Sequence, residues 1–427
     1  MSARATATLG APKSARRGGP ESLTAYGERV FGYLPRSDQR RWADAYLRGL
    51  LATPGRKTVR RMARTLDLPD SAPQALQQFI SASPWEWTPA RVELARIAAE
   101  LLPDAVWTAR PVLLRKRGSH SVGLRAGVLP GTGRRVNCQV GIGLFLSGGR
   151  HSIPVGWRLL LDDAWCEDPE RRRRARIPDA VTPRPAWALV LEMVEQFAAA
   201  GVADSAPVVL GRDFAPGVRQ LVSQLGRQGR DFVLEVPPGQ PLVPVPPHRA
   251  APSPATASFG DAASLVAAHS QRTTSALPGR AQMFSAAVRL LPPRSPAPAV
   301  HQPHRLVAEI AAVPKRPSRF WITSLRDAPL TTVRGLAHRN VLTDAAVRDV
   351  QTELGLLDFE GRSFPGWHHH MTLASAAYLY RQLPAGHEHP AEATCRCPGP
   401  RAAEVSLSRT PCGPAVDPAG GSAPGQQ

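Results

Sequence analysis

Lysine is nearly absent from this chain. Of its 53 basic residues only Lys13, Lys57, Lys116 and Lys315 are lysines, so its positive charge rests on arginine. Heavy use of Ala and Pro accompanies that bias, which traces part of the arginine excess to codon usage in a genome rich in G and C. Long apolar runs are missing too. No stretch approaches the ~18 uninterrupted apolar residues of a membrane-spanning helix. Residues 1–19 carry basic side chains without an apolar segment behind them, which argues against a secretory leader. A soluble, cytoplasmic protein is the expectation, with no membrane partner. Cysteine is sparse, and its odd count of five leaves no even disulfide framework. Cys138 and Cys166 are expected as small core residues in a reducing compartment.

What is present is charge of one sign. A surplus of +19 favours polyanions through counterion release and steering, and nucleic acid is the obvious partner. With 427 residues and 43% hydrophobic content the chain has enough to bury one large core or two modest ones.

The pattern changes along the chain. Residues 1–20 are small, polar and basic, and are expected to lack structure. Residues 21–102 read as a helical region. Ser37 opens a helix that places Trp42, Tyr46, Leu47, Leu50 and Leu51 on one face, and shorter helices follow over Thr58–Leu66 and Pro73–Ile80. Lys57, Arg60, Arg61 and Arg64 cluster on the middle one, in the manner of a helix-turn-helix that approaches phosphates or a groove, or of an ordinary solvated basic face. A last helix spans Pro89–Leu102. Residues 103–236 switch to strands over Ala105–Leu114, Val136–Leu146 and Val155–Leu161. Helix Pro185–Ala200, strand Val208–Leu210, helix Pro216–Leu225 and strand Asp231–Val236 come next. Three strands followed by alternating helix and strand predict a mixed α/β (α+β) fold of the ribonuclease-H-like kind. Residues 237–303 are rich in Pro, Ala and Ser and read as an insertion or linker with one strand at Met283–Leu291. Residues 304–383 resume the core, with strands Arg305–Ala311 and Phe320–Leu325 and a helix from about Thr343 to Leu354. Residues 384–427 read as an unstructured tail.

One stretch holds the densest set of unusual residues, Glu353–Leu373, which reads ELGLLDFEGRSFPGWHHHMTL. Its three successive histidines fan by about 100° per residue around a helix, so they do not converge on one metal. Chemistry alone predicts one packed and two solvated histidines. The stretch resembles the C-terminal signature of bacterial insertion-sequence transposases of the DDE superfamily. The resemblance extends, in order, through KRGSHSVG (Lys116–Gly123), NCQVG (Asn137–Gly141), WRLLLDDAWCEDPERRRR (Trp157–Arg174) and HRLVAEI (His304–Ile310), and covers roughly residues 25–383. It implies a ribonuclease-H-like DDE core that cuts and rejoins DNA with three carboxylates and Mg²⁺ or Mn²⁺, preceded by a small DNA-binding helical domain, with a homodimer as a further expectation.

The carboxylates that the resemblance calls for are largely replaced. Aligning Trp107 and the Lys116-Arg117-Gly118 segment puts Arg110 and Pro111 where two aspartates belong, and Gly211 where a second aspartate ends the strand Val208–Leu210. Asp213 lies two residues beyond. The third acid, a helical glutamate in the family, falls on Asp344, one methylene shorter, and Arg348 follows it. A guanidinium has no lone pair for a metal. The expectation is therefore a transposase impaired in catalysis, in which Mg²⁺ or Mn²⁺ is not productively bound, or a transposase-derived DNA-binding or structural protein without nuclease chemistry.

Other clusters complete the set. Asp162, Asp163, Glu167 and Asp168 read as a solvated turn and helix start. Arg171, Arg172, Arg173 and Arg174 offer phosphate contacts or a solvated face. Arg115, Lys116, Arg117 and Arg348, together with Trp367 and His368, join the DNA-contact candidates. In the tail His387, His389, Cys395 and Cys397 have the ligand types of a zinc site without a matching spacing.

Overall fold

The computed structural model describes residues 22–116, 118, 120–128, 133, 135–245, 260–270, 282–290, 302–310 and 318–383. Arg117 and the tail candidates His387, His389, Cys395 and Cys397 lie outside them. Five helices come first: α1 (Leu23–Phe31), α2 (Ser37–Ala52), α3 (Val59–Thr65), α4 (Ala72–Ser81) and α5 (Thr88–Leu101). Ser22 and Thr58 cap α1 and α3, accepting hydrogen bonds from Ala25 N–H and Arg61 N–H, which satisfies amides that lack a partner in the first turn.

The sheet begins with β1 (Val106–Arg115), β2 (Arg125–Val128), β3 (Arg135–Gly148) and β4 (His151–Leu159). β3 pairs antiparallel with β1 on one side and with β2 and β4 on the other. Short helices α6 (Asp163–Cys166) and α7 (Pro169–Ala175) lead to α8 (Ala186–Ala199), β5 (Val208–Leu210), α9 (Val218–Arg227) and β6 (Phe232–Val236). β5 and β6 run parallel to β1, giving the order β4–β3–β1–β5–β6. That order and polarity fit the ribonuclease-H-like expectation.

Alternation along β1 splits its side chains between two faces. Trp107 stacks on Phe197 of α8 at 5.5 Å. On the opposite face Val106 packs with Val209, Val233 and the helix α11 (Leu330–Ala337), and Thr108 meets α12 (Arg339–Glu353). Arg110 shares the parity of Thr108 and so belongs to the α12 face.

The Pro- and Ala-rich stretch is more than a linker. Its described parts form β7 (Pro241–Pro244), β8 (Gly260–Asp261), α10 (Ala262–Ser270) and β9 (Gln282–Leu290), and with β10 (His304–Ile310) and β11 (Arg319–Thr323) they extend the sheet beyond β6. Backbone pairing holds these strands where side-chain alternation is faint: β9 matches β10 residue for residue from Gln282↔Ile310 to Val288↔His304.

The last helix, α13 (Phe364–Gln382), is buried on every side from Phe364 to Leu379 except at Pro365. It lies between β4 and the helices α2, α4 and α5. The helices of residues 21–102 therefore share one apolar core with the sheet. No helix among the described residues is long and apolar enough to cross a membrane.

Burial of α13 also settles its histidines, and the expectation of two solvated rings is corrected. Each ring points into a different pocket. His368 stacks on Trp87 at 4.5 Å, and its Nδ1 accepts from Arg91 Nη2 at 3.2 Å. His369 stacks on Trp85 at 3.9 Å, with Nδ1 3.0 Å from the Ile80 carbonyl and Nε2 2.8 Å from the Trp85 carbonyl. His370 lies 2.9 Å from the Tyr46 hydroxyl and 3.0 Å from the Gly355 carbonyl. Burial pulls the pKa of His369 and of His370 down to about 4, and that of His368 well below its usual range, where the Arg91 and Arg158 charges add to the effect.

A depressed histidine pKa stabilises the fold above the unfolded value of ~6.5, and this contribution is lost as pH falls through the folded value. The expected result is a melting temperature that falls steeply between pH 6.5 and 4, with Trp85 and Trp87 losing their histidine partners. Thermal melts followed by tryptophan fluorescence across that range test it; a flat profile contradicts it.

Candidate active site

The parallel pairing of β1 with β5 ends at Ala109↔Leu210, so Arg110 is the next residue of β1 and Gly211 the first residue past β5. Asp344 projects from α12 toward the same point. Arg110 Nη1 donates to Asp213 Oδ2 at 2.6 Å, and its Nε stands 2.8 Å from Asp344 Oδ1, a close ion pair without hydrogen-bond alignment. The guanidinium thus bridges the two acids. Burial, helped by the charge of Asp213, raises the Asp344 pKa above the ordinary carboxylate range against the pull of Arg110 and Arg348.

A buried hydroxyl cluster fixes α12 over β1. Thr108 Oγ1 lies 2.7 Å from Ser147 Oγ and 2.6 Å from Thr343 Oγ1, and Ser152 Oγ is 2.6 Å from Ser147 Oγ. Thr343 immediately precedes Asp344, so this cluster sets where the carboxylate stands. Sequence reasoning passed over these four residues, because nothing local marks a threonine or serine as part of a network assembled from three strands and a helix.

Gly211 leaves a notch. A Cβ placed on it would lie 3.7 Å from Arg110 Nη1 and 3.9 Å from Asn340 Nδ2, in ordinary contact with both. Asn340 is buried, and that Nδ2 has no hydrogen-bond partner among the described residues. Beside the notch opens a cleft of about 300 Å³ lined by Arg110, Pro111, Val112, Leu113, Asp344, Val347, Arg348 and Gln351. On β6 one more acid, Glu235, is held by Arg319 at 2.8 Å and Arg212 at 3.7 Å.

These residues do not fit a divalent metal. Mg²⁺ requires oxygen ligands at ~2.0–2.1 Å in near-octahedral array, whereas the central group here offers only N–H donors. Among the described residues no group of three His, Cys, Asp or Glu side chains is placed to hold a metal ion.

The DNA-contact candidates divide by exposure. Arg60, Arg61, Arg64, Arg115, Arg173, Arg174 and Arg348 are exposed. Arg171 pairs with Asp168, the residue that caps α7, while Arg172 turns inward to the carbonyls of Cys166, Pro178 and Val181. Lys116 is largely buried; its Nζ donates to the Phe359 carbonyl, and burial lowers its pKa to about 8. Three candidates are corrected. Lys57 is 5% exposed with its Nζ on the Thr53 carbonyl, and Trp367 and His368 are 0% and 1% exposed, so none of them meets a phosphate on the protein surface.

An antiparallel β4–β3–β1 unit continued by parallel β5 and β6, with its polar site where the β1–β5 pairing ends beneath a helix, is compatible with a core of the ribonuclease-H-like class. The family model described as DDE superfamily endonuclease matches residues 29–258, more than half of the chain, and the chain belongs to this family. The matched stretch starts inside α1, so α2, α3, α4 and α5 lie within it. No curated protein matches the chain. Nucleases of this superfamily act on DNA and generally depend on divalent metal.

Proposed function

We propose that this chain descends from an insertion-sequence transposase and binds duplex DNA without cutting it. The observation that carries this reading is the Arg110 bridge: a cation joins Asp213 and Asp344 where metal-dependent strand transfer needs carboxylates converging on two ions. Affinity for DNA rests on the +19 charge and on the exposed arginines of α3 and α7. A homodimer in the cytoplasm, associated with the nucleoid, accords with this lineage.

A second reading is cleavage and joining of DNA ends at a relocated site. It is favoured by the survival of two carboxylates, Asp213 and Asp344, on either side of Arg110.

The first reading is tested by fluorescence anisotropy of a labelled duplex in EDTA. Expected are sequence-tolerant binding and a steep salt dependence, with each neutralised phosphate contributing about 0.9 to the slope of log K against log salt. Arg60→Ala, Arg61→Ala and Arg64→Ala together are expected to lower that slope. Absence of binding at low salt overturns the reading.

A further inference from the structure

β1 is longer than the strand beside it. It pairs with β3 along its whole length, from Val106 to Arg115, but with β5 only as far as Ala109. Trp107 N–H donates to the Pro207 carbonyl on the β5 side, and Lys116 N–H to the Asn137 carbonyl on the β3 side. Backbone groups alternate in direction along a strand, so Pro111, Leu113 and Arg115 turn theirs away from β3, toward an edge that no described strand covers. Proline fits at 111, since its missing N–H costs the β3 ladder nothing. The Leu113 and Arg115 amides have no backbone partner among the described residues. Pro111 and Leu113 form one wall of the cleft beside Arg110, and α12 forms the other with Asp344, Val347, Arg348 and Gln351, a stripe along one side of the helix.

We propose that an acidic peptide segment of a partner protein adds to β1 in this cleft as a further strand, running along the rim from Pro111 to Arg115. The rim itself selects a peptide. The carbonyls of Pro111 and Leu113 need donors and the Leu113 amide needs an acceptor, and an extended peptide supplies both. The phosphate backbone of DNA carries acceptors alone and leaves those carbonyls unmet. Acidic character follows from the charges around the groove: Arg115 and Arg348 are exposed, while Asp213 and Asp344 are held by Arg110. Leu113 and Val347, both partly buried, offer apolar surface to the side chains between the acids. The free rim has room for about five residues of extended chain. This docking stands apart from duplex binding, which draws on α3 and α7.

Fluorescence anisotropy of a labelled, end-capped peptide alternating glutamate and valine measures binding to the full wild-type chain, to Arg348→Glu and to Leu113→Pro. The proline removes an edge N–H and leaves the β3 ladder whole. The same peptide N-methylated at all its amides keeps the charge and loses the backbone donors. Circular dichroism verifies folding of both variants. Expected is saturable binding that weakens about tenfold or more with each variant and with N-methylation, the effect of losing a few hydrogen bonds or the matching charge. Failure of the wild type to bind the peptide overturns the proposal, and so does equal affinity for the N-methylated form, since charge alone then holds it. A labelled duplex in EDTA separates the two kinds of partner. Duplex affinity is expected to be unmoved by Leu113→Pro, whereas a loss matching that of the peptide assigns the cleft to DNA and overturns the proposal. Should Leu113→Pro fail to fold, Arg348→Glu and the N-methylated peptide on the wild-type chain decide the matter.

Discussion

Replacing Arg91 with alanine is expected to cost the protein about 3–5 kcal/mol of stability, a large share of what a folded protein has to spare. Arg91 is 3% exposed and has no carboxylate partner among its hydrogen bonds. Its Nε donates to Thr372 Oγ1 at 2.8 Å, Nη1 to the Trp157 carbonyl at 2.8 Å, and Nη2 to His368 Nδ1 and to the His368 carbonyl at 3.2 and 3.0 Å. One side chain of α5 therefore ties α13 to β4. Burial, with the neighbouring Arg158 charge, pulls its pKa well below the ordinary guanidinium range. Alanine leaves His368 Nδ1 unpaired, takes one donor each from Thr372 Oγ1 and from the Trp157 and His368 carbonyls, and opens a void. Lysine keeps the charge without the planar fork and should recover only part of the loss. Urea denaturation measures it, and a shift equivalent to less than about 1 kcal/mol would show that water or repacking replaces the guanidinium.

Changing Arg110→Asp, Gly211→Asp and Asp344→Glu together is expected to convert a site that does not hold Mn²⁺ into one that binds it. In the native chain the Arg110 cation opposes a divalent ion ~4 Å away by several kcal/mol even at an effective dielectric near 20, and it occupies the Asp213 and Asp344 carboxylates that would otherwise attract the ion. The triple change removes that cation and sets carboxylates where the β1–β5 pairing ends and on α12. Gly211→Asp alone is expected to bind no metal, since the notch presents Arg110 Nη1 and Asn340 Nδ2 to its carboxylate and satisfies both donors first. Calorimetric titration with Mn²⁺ separates the three proteins. Mn²⁺ binding by the native chain at the level of the triple variant would overturn the assignment.

How far the sequence discloses this site depends on the kind of signal. The resemblance, aligned on Trp107 and Lys116, points to Arg110 and Gly211, and the structure puts them where the β1–β5 pairing ends and just past the strand Val208–Leu210. Asp344 sits on a helix that runs Arg339–Glu353, beginning four residues earlier than its apolar spacing suggests. The ion pairs of Arg110 were not legible, because Asp213 reaches back from a short 3₁₀ turn whose course depends on packing rather than on local pattern. Strands β7 and β8 escaped for another reason: residues such as Pro241 and Pro244 carry little alternation, and their pairing with neighbours is a tertiary fact, whereas β9 falls where a strand was expected, at Met283–Leu291. The buried histidines were hidden likewise, since a helix enclosed on all sides shows no polar face to read.

The central claim is that Arg110 stands where the chemistry of this superfamily needs a metal ligand, and nicking of supercoiled plasmid by the purified chain tests it most directly. Reactions in Mg²⁺, in Mn²⁺ and in EDTA are compared for the native protein and for Asp213→Ala with Asp344→Ala. The expected result is bound but intact plasmid under every condition for both proteins. Metal-dependent nicking by the native chain that disappears with the two aspartates would contradict it, and would make this a working nuclease built on Asp213 and Asp344.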